Sequence, residues 1–212
     1  MLEHIIFDMD GTLADTAKAT IGACHEASDL MNLPRLDDEL IIRTIGIANP
    51  EFYYRLYPDL DKELVDEYGK TVEALEISRV IALGTGILFA GIQDMLTKLR
   101  GLGVKLYLAS TGSKEHVDIV IDSSGIRHFF DVIACDEPVK IEMVSTIIGK
   151  GNRHEWAMVG DTRKDLEAAR DNGIKAIAAG FGYCTPTEQR LYDITLHEPG
   201  DIIALCRDQV MA

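Results

Sequence analysis

The stretch "HIIFDMDGTLADT", residues 4–16, places two aspartates at the end of an apolar run. A carboxylate does not stabilise a buried strand, so Asp8 and Asp10 need another reason to stand there. Gly11 follows at once, and a glycine in this position indicates that the backbone turns sharply or closely approaches another group. The stretch predicts a buried strand that ends in a polar turn and presents two carboxylates at its carboxyl end.

Four further apolar runs are typical of buried parallel strands, and helical spacing of apolar residues separates them. These runs are residues 104–110, 131–135, 156–161 and 175–180. The alternation of strands and helices predicts an α/β fold, with a Rossmann-like parallel sheet and helices on both of its faces.

One segment does not alternate. Residues 15–83 carry helical stripes of apolar residues and several prolines, but no convincing strand, and they are longer than an ordinary crossover. We predict a Rossmann-like core of residues 1–14 and 84–212, with residues 15–83 inserted as a separate helical domain. The alternative is that these helices simply pack on one face of the sheet.

Polar residues cluster at the predicted strand ends, where open α/β sheets bind their ligands. Asp8 ends the first strand and Ser110 the second. Lys140 follows the third, Asp161 ends the fourth, and Asp165 lies one helical turn further along. Any one of them could be a helix cap or a solvated charge, but five at corresponding strand ends indicate a functional site.

The aspartates of this cluster, including Asp10, would repel one another in a shared site unless a divalent cation joined them. Mg²⁺ prefers oxygen ligands, and the absence of histidine and cysteine from the cluster argues against zinc. Lys140 and the hydroxyl group of Ser110 would supply a positive charge and a donor for a phosphoryl group. The residues therefore predict a magnesium site that handles phosphate.

These motifs carry a family resemblance. "DMDGTLADT", the hydroxyl after "LYLA", the lysine after the third strand and "VGDTRKD" resemble the four motifs of the haloacid dehalogenase superfamily. Their order and spacing cover nearly the whole chain. The inserted helical segment stands where the subgroup of phosphoglycolate phosphatases and β-phosphoglucomutases carries a helical cap, so the resemblance implies that residues 15–83 are a cap domain.

The resemblance also implies roles. Asp8 would be the nucleophile that forms an aspartyl-phosphate, and Asp10 the general acid and then the general base. Asp8, the backbone carbonyl group of Asp10 and Asp161 would hold Mg²⁺. Asp165 would bind the ion through water or orient Asp161.

Ser110 and Lys140 would hold the phosphoryl oxygens, and Lys140 would also pair with the carboxylate of Asp8. The second motif reads "ASTGSK", so Thr111 stands close enough to share the phosphate contact with Ser110.

The implied function is Mg²⁺-dependent hydrolysis of a small phosphorylated metabolite. A β-phosphoglucomutase-like phosphomutase is the main alternative, although Thr20 stands where sugar mutases of this kind usually carry a histidine. A non-enzymatic phospho-receiver or binding module is the third, and Asp10 argues against it because a receiver needs no acid for a leaving group. Phosphoglycolate, a sugar phosphate and a nucleoside monophosphate all remain open as substrates.

The amino-acid composition argues against some classes of binding partner. The net charge of −14 argues against nucleic acid or an anionic membrane as the main partner, and 47% apolar residues suffice for a full core. The first residues do not resemble a signal peptide. We expect a cytoplasmic protein that is a monomer or a weak dimer.

Overall fold

The computed structural model describes residues 1–137 and 139–206, and it contains a six-stranded parallel sheet in the order β3-β2-β1-β4-β5-β6. The predicted Rossmann-like α/β fold is confirmed. In register, His4 of the central strand pairs with Lys105 on one side and Trp156 on the other. The strands are β1 (His4–Phe7), β2 (Lys105–Ala109), β3 (Val132–Ala134), β4 (Trp156–Gly160), β5 (Lys175–Ala179) and β6 (Ile194–Leu196).

The sixth strand is a correction to the sequence analysis, which predicted five. β6 has three residues and pairs with β5 at the edge of the sheet, with Ile177 opposite Ile194. A run this short has no alternation to detect, and only its last residue, Leu196, is fully buried.

Helices connect the strands. The α-helices are α1 (Ala17–Leu30), α2 (Asp38–Thr44), α3 (Glu51–Leu56), α4 (Lys62–Leu83), α5 (Ile92–Gly101), α6 (Lys114–Ser123), α7 (Lys140–Ile148), α8 (Arg163–Asp171), α9 (Pro186–Gln189) and α10 (Ile203–Cys206). Short 3₁₀ helices span Gly84–Ile87, Arg127–Phe129, Arg153–Glu155 and Pro199–Ile202.

The sheet is covered on both faces, which is why its central strands are mostly apolar, with His4 and Lys105 at the amino ends of β1 and β2. In β1, Ile5 and Phe7 face a cluster that includes apolar residues of α5 and α6. Ile6 faces the opposite way, into a cluster with residues of α7 and α8. Polar side chains therefore have room only where the strands end.

The segment between β1 and β2 has an apolar cluster of its own, contributed by helices α1 to α4. Tyr68 and Val72 of α4 pack there with Cys24 of α1, and the described members of this cluster include no strand residue. The chain enters and leaves this group of helices through two adjacent segments, because the amide of Asp15 donates to the carbonyl group of Ile87 at 2.8 Å. The division of the chain at residues 15–83 stays a prediction.

Among the described residues, none of the helices has both the length and the apolar character needed to cross a membrane.

Candidate active site

Asp8 directly follows β1, the strand with a neighbour on each side near the middle of the sheet. Its backbone amide continues the ladder by donating to the carbonyl group of Val159 at 2.9 Å. The residue is 5% exposed. The sheet thus fixes the backbone of Asp8 while its side chain stands at the carboxyl edge, where a ligand can reach it.

Lys140 is the first residue of α7 and is also buried. Its Nζ atom lies 2.7 Å from Oδ1 of Asp8 and 2.7 Å from Oδ1 of Asp165. Burial opposes the charge of the ammonium group, but Asp165 and Asp8 outweigh it and raise the pKa of Lys140 above its ordinary value. Lys140 is therefore a fixed positive charge held between two carboxylates.

The carboxyl groups of Asp8 and Asp161 have raised pKa values. Burial, together with the charge of Asp165, raises the pKa of Asp8 to about 7, although Lys140 acts in the opposite direction. Burial and the charges of Asp8 and Asp165 likewise raise the pKa of Asp161 well above its usual range. The site contains more negative charge than its lysine neutralises.

Gly11 shapes the turn that follows Asp8. Its φ of +77° lies in the left-handed region, and a Cβ atom there would stand 2.3 Å from Oδ2 of Asp161. The next residue, Thr12, donates its hydroxyl group to Oδ1 of Asp161 at 2.8 Å. The glycine lets the backbone pass close to the carboxylate, and the threonine orients that carboxylate.

Asp165 is fully buried in the first turn of α8. Its Oδ2 atom accepts from the backbone amide and the hydroxyl group of Thr162, at 2.9 and 2.6 Å. Its Oδ1 atom accepts from Lys140. Asp165 thus caps its own helix and anchors the lysine at the same time.

The residues present fit a hard divalent cation. Asp8, Asp161 and Asp165 are all buried, and one oxygen from each lies within 4.8 Å of the others. Lys140 is the ion-pair partner of two of them, so negative charge remains uncompensated within the cluster. An all-oxygen donor set with excess negative charge suits Mg²⁺ better than zinc. Asp10, the fourth predicted ligand, would contribute its backbone carbonyl group.

Ser110 and Thr111 line the same cavity as Asp8 and Lys140. Ser110 follows β2 and is 2% exposed, and its Oγ atom accepts from the amide of Gly112 at 3.1 Å. The hydroxyl group of Thr111 makes a long contact of 3.4 Å to the carbonyl group of Gly46. Ser110 is thus held within the core, whereas Thr111 reaches the loop between α2 and α3.

Asp10 has a partner that the sequence analysis missed. Nε2 of His116, in the first turn of α6, lies 3.0 Å from Oδ1 of Asp10. Burial alone would lower the pKa of His116, but the charge and hydrogen bond of Asp10 raise it to about 9. Burial favours protonated Asp10, yet His116 holds the pKa of Asp10 below its ordinary value. The available signal was a histidine in the first turn of the helix that follows a strand-end serine.

The wall of the cavity opposite the sheet comes from residues between β1 and β2. Glu76 of α4 accepts a hydrogen bond from the hydroxyl group of Thr20 in α1. The α2–α3 loop approaches the core from the same side, where Nζ of Lys164 donates to the carbonyl group of Gly46 at 2.8 Å. No local pattern in the sequence distinguishes Glu76 from the other acids of α4.

Arg43 and Asn49 are two polar residues near the α2–α3 loop. Arg43 is exposed and pairs with Glu39 of its own helix, and it does not line the cavity that holds Asp8. Asn49 does line that cavity, and its amide group donates to Glu73 at 2.8 Å.

The chain is similar in sequence to known proteins. A sequence model of the haloacid dehalogenase-like hydrolases matches residues 5–179. The phosphoglycolate phosphatase of Synechococcus elongatus is 26% identical over 197 residues, which cover 86% of this chain and 85% of that protein.

Solved structures resemble the chain in fold. A haloacid dehalogenase-like hydrolase of Streptococcus pneumoniae superposes with a TM-score of 0.82 at 23% identity, over 97% of this chain and 99% of that one. A β-phosphoglucomutase of Clostridium difficile superposes with a TM-score of 0.76 at 18% identity, over 95% and 93%. At these identities the likeness concerns the fold alone.

Proposed function

The chain belongs to the haloacid dehalogenase-like hydrolases and is a phosphatase of that family, and we propose that it hydrolyses a small phosphorylated metabolite with Mg²⁺ through an aspartyl-phosphate on Asp8. The observation that carries this proposal is the buried group of Asp8, Asp161, Asp165 and Lys140 at the carboxyl edge of the sheet. Carboxylates and a lysine arranged in this way suit the in-line transfer of a phosphoryl group.

Asp8 is the proposed nucleophile. One of its carboxylate oxygens attacks phosphorus, and the bond from phosphorus to the leaving alcohol oxygen breaks. Attack requires the ionised form, which the hydrogen bond and charge of Lys140 favour against the effect of burial. In the second step water attacks the same phosphorus, the bond to Asp8 breaks and inorganic phosphate leaves.

Asp10 is the proposed proton carrier for both steps. In the first step Asp10 passes to the leaving alcohol oxygen a proton that it takes from His116, because the pKa of Asp10 itself lies below its ordinary value. In the second step Asp10 accepts a proton from water. His116 holds Oδ1 of Asp10, which fixes the carboxyl group and leaves its other oxygen for proton transfer. The pair keeps a proton beside the reacting atoms, because the pKa of His116 is raised to about 9.

Ser110 and Lys140 are the proposed contacts for the phosphoryl oxygens, and Thr111 stands close enough to share in them. The hydroxyl group of Ser110 and the ammonium group of Lys140 both face the cavity beside Asp8. Such preorganised donors stabilise the charge that develops on a transferring phosphoryl group.

Asp8, Asp161 and the backbone carbonyl group of Asp10 would hold Mg²⁺, with Asp165 as a direct or water-mediated fourth contact. When bound, the ion would neutralise the carboxylates and polarise a phosphoryl oxygen. Thr12 supports this role because its hydroxyl group fixes one oxygen of Asp161 and leaves the other available.

We propose that residues 15–83 form a cap that closes over the phosphoryl site. Their separate apolar cluster and the side-by-side entry and exit segments support a body attached through a short hinge. Thr20 bears on the phosphomutase alternative, because a hydroxyl group bonded to Glu76 cannot serve as the base that a reorienting sugar phosphate needs. The phosphatase is therefore favoured over the mutase.

A comparison of two isosteric variants tests the mechanism. Asp8→Asn removes the nucleophile and should abolish phosphoryl transfer to the protein. Asp10→Asn should lose most activity on an alkyl phosphate, but keep more of the first step on nitrophenyl phosphate, whose leaving group needs little acid. Dephosphorylation lacks its base in that variant, so acid-labile phosphate should accumulate on the protein.

Single-turnover kinetics of both variants on both esters, with detection of protein-bound phosphate, would measure this. If Asp8→Asn still became phosphorylated at this site, or if Asp10→Asn lost both esters equally and trapped no phosphate, the assigned roles would be wrong.

A further inference from the structure

Glu76 stands in the wall of the cavity that also contains Asp10 and His116. It is half-buried, and its carboxylate accepts from Thr20. Within residues 1–137 and 139–206 it takes part in no ion pair. A carboxylate that is held in place without a cationic partner is free to accept from a ligand.

The positive charges around the cavity are already engaged. Lys140 is bound to Asp8 and Asp165, and His116 is bound to Asp10. Two carboxyl groups, Asp10 and Glu76, thus share this part of the cavity wall with His116, which is paired with Asp10.

Two other basic residues, Lys164 and Arg43, remain to be considered, and neither forms an ion pair with Glu76. Lys164 donates to the carbonyl group of Gly46, and its charge lies towards Lys140 and Asp8 rather than Glu76. Arg43 is paired with Glu39 outside the cavity. Among the residues that the structure describes, no arginine lines this cavity, and Lys164, which has no ion pair, lies on the side of Lys140 and Asp8 rather than beside Glu76.

We propose that the substrate is an alkyl phosphate whose leaving group carries hydrogen-bond donors and no negative charge, and that Glu76 accepts from those donors. This inference rests on the proposed phosphatase activity and deepens it. The shared chemistry is a hydroxyl or an ammonium group placed a short distance from the ester oxygen.

The aromatic lining of the cavity supports a ligand of this kind. Phe52 and Tyr53 line the cavity and present aromatic surface that tolerates an aliphatic or a cationic group.

The phosphoglycolate named for the Synechococcus elongatus relative fits this wall poorly. Its carboxylate would approach Glu76 with like charge, and one of the two groups would have to take up a proton. Juxtaposed like charges at a binding surface discriminate strongly between ligands.

Three esters with the same two-carbon frame isolate the terminal group: 2-hydroxyethyl phosphate, O-phosphoethanolamine and phosphoglycolate. The purified protein with Mg²⁺ should hydrolyse the first two with kcat/KM at least about tenfold above that for phosphoglycolate. Glu76→Gln keeps the shape and the acceptor for Thr20 but removes the charge. It should shrink the advantage of O-phosphoethanolamine over phosphoglycolate by about tenfold or more, and affect 2-hydroxyethyl phosphate least.

Glu67→Gln is the matched control, because Glu67 is an exposed acid of the same helix that does not line the cavity. It should leave all three ratios unchanged. A preference for phosphoglycolate in the unmodified protein, or ratios that do not change in Glu76→Gln, would overturn the inference.

Hydrolysis of nitrophenyl phosphate distinguishes a failure of the proposed phosphatase activity from a failure of the inference about the leaving group. If it is hydrolysed with Mg²⁺ while the three alkyl esters show no discrimination, the phosphatase assignment stands and only the inference about the leaving group is wrong. If no ester is hydrolysed under any of these conditions, the proposed function fails and the inference falls with it.

Discussion

At the scale of single residues, Lys140 has two roles. It neutralises part of the buried negative charge of Asp8 and Asp165, at 2.7 Å from each, and it faces the cavity where a phosphoryl group would sit. A buried ion pair of this kind contributes little net stability, because desolvation offsets most of the attraction. The position of the lysine is therefore better explained by the site than by the fold.

Lys140→Ala should lower turnover by about 10²-fold or more, on the scale of a lost electrostatic stabiliser. The fold should survive, because Asp8, whose pKa is already raised, can take up a proton when its partner is lost, and Asp165 keeps its hydrogen bonds to Thr162. Steady-state kinetics and circular dichroism would check both statements. Lys114→Ala is the control, since Lys114 is exposed and pairs with Asp118. Near-normal activity in Lys140→Ala, or an equal loss in Lys114→Ala, would contradict the assignment.

The sequence revealed the residues whose position depends only on a strand end. Asp8, Ser110 and Asp161 follow the last residues of β1, β2 and β4, so an apolar run followed by a polar residue was a sufficient signal. His116 and Glu76 reach the site from helices. Their orientation depends on how α6 and α4 pack, and no local pattern in a single sequence encodes that packing.

The loop between β1 and α1 shows, at the scale of elements, how closely packed the site is. Gly11 lies against Asp161 on one side, and the loop after β5 closes on the other. A Cβ atom on Gly182 would stand 1.7 Å from the carbonyl oxygen of Gly11. Tyr183 then donates its hydroxyl group to Asp15 at 2.9 Å, which ties this loop to the start of the segment between β1 and β2.

Gly11→Ala should lose most activity and most affinity for Mg²⁺, because its methyl group would displace the carboxylate of Asp161. Isothermal titration with Mg²⁺ and steady-state kinetics would measure the two losses. Gly103→Ala is the matched control, since Gly103 has a φ of +81° and nothing within 4 Å of its added Cβ atom. Its cost of about 1 kcal/mol should appear as a lower melting temperature without loss of activity or metal affinity. Equal behaviour of the two variants would show that backbone strain alone explains the effect.

The strand at the edge of the sheet was harder to predict from the sequence than the central strands. The central strands are mostly apolar because both faces of the sheet are covered. β6 lies at an edge and has three residues, so its assignment depends on pairing with β5 rather than on its own composition. The helices of residues 15–83 were predictable as helices from their spacing, whereas their shared apolar cluster depends on tertiary packing.

At the scale of the whole molecule, the buried carboxylates make stability depend on pH and on metal. In the metal-free protein the pKa of Asp8 is raised to about 7, mainly by burial, and that of Asp161 is raised as well. A carboxyl group whose pKa is higher in the folded state stabilises that state below its unfolded pKa of 3.8, and this contribution is lost as pH rises through the folded pKa. Each pKa unit corresponds to about 1.4 kcal/mol.

The metal-free protein should therefore become less stable between pH 5.5 and pH 8, relative to an Asp161→Asn variant that removes one of the charges. Mg²⁺ should raise the melting temperature of the unmodified protein more at pH 8 than at pH 5.5, because bound cation stabilises the ionised site. Thermal unfolding at both values, with and without chelator, would measure this. Asp171→Asn, an exposed change outside the site, should behave like the unmodified protein. The same Mg²⁺ response in Asp161→Asn would contradict the assigned site.

The two ends of the segment between β1 and β2 lie next to each other, and this affects how such a chain can change during evolution. Because Asp15 is hydrogen-bonded to Ile87, the two ends of the insertion nearly coincide, and the sheet could be closed between them by a short turn. The proposed catalytic carboxylates and Lys140 lie in the part of the chain that would remain. On the proposed function, mutations or exchanges confined to residues 15–83 would alter which alcohol is released, while the residues proposed to transfer phosphate are inherited unchanged.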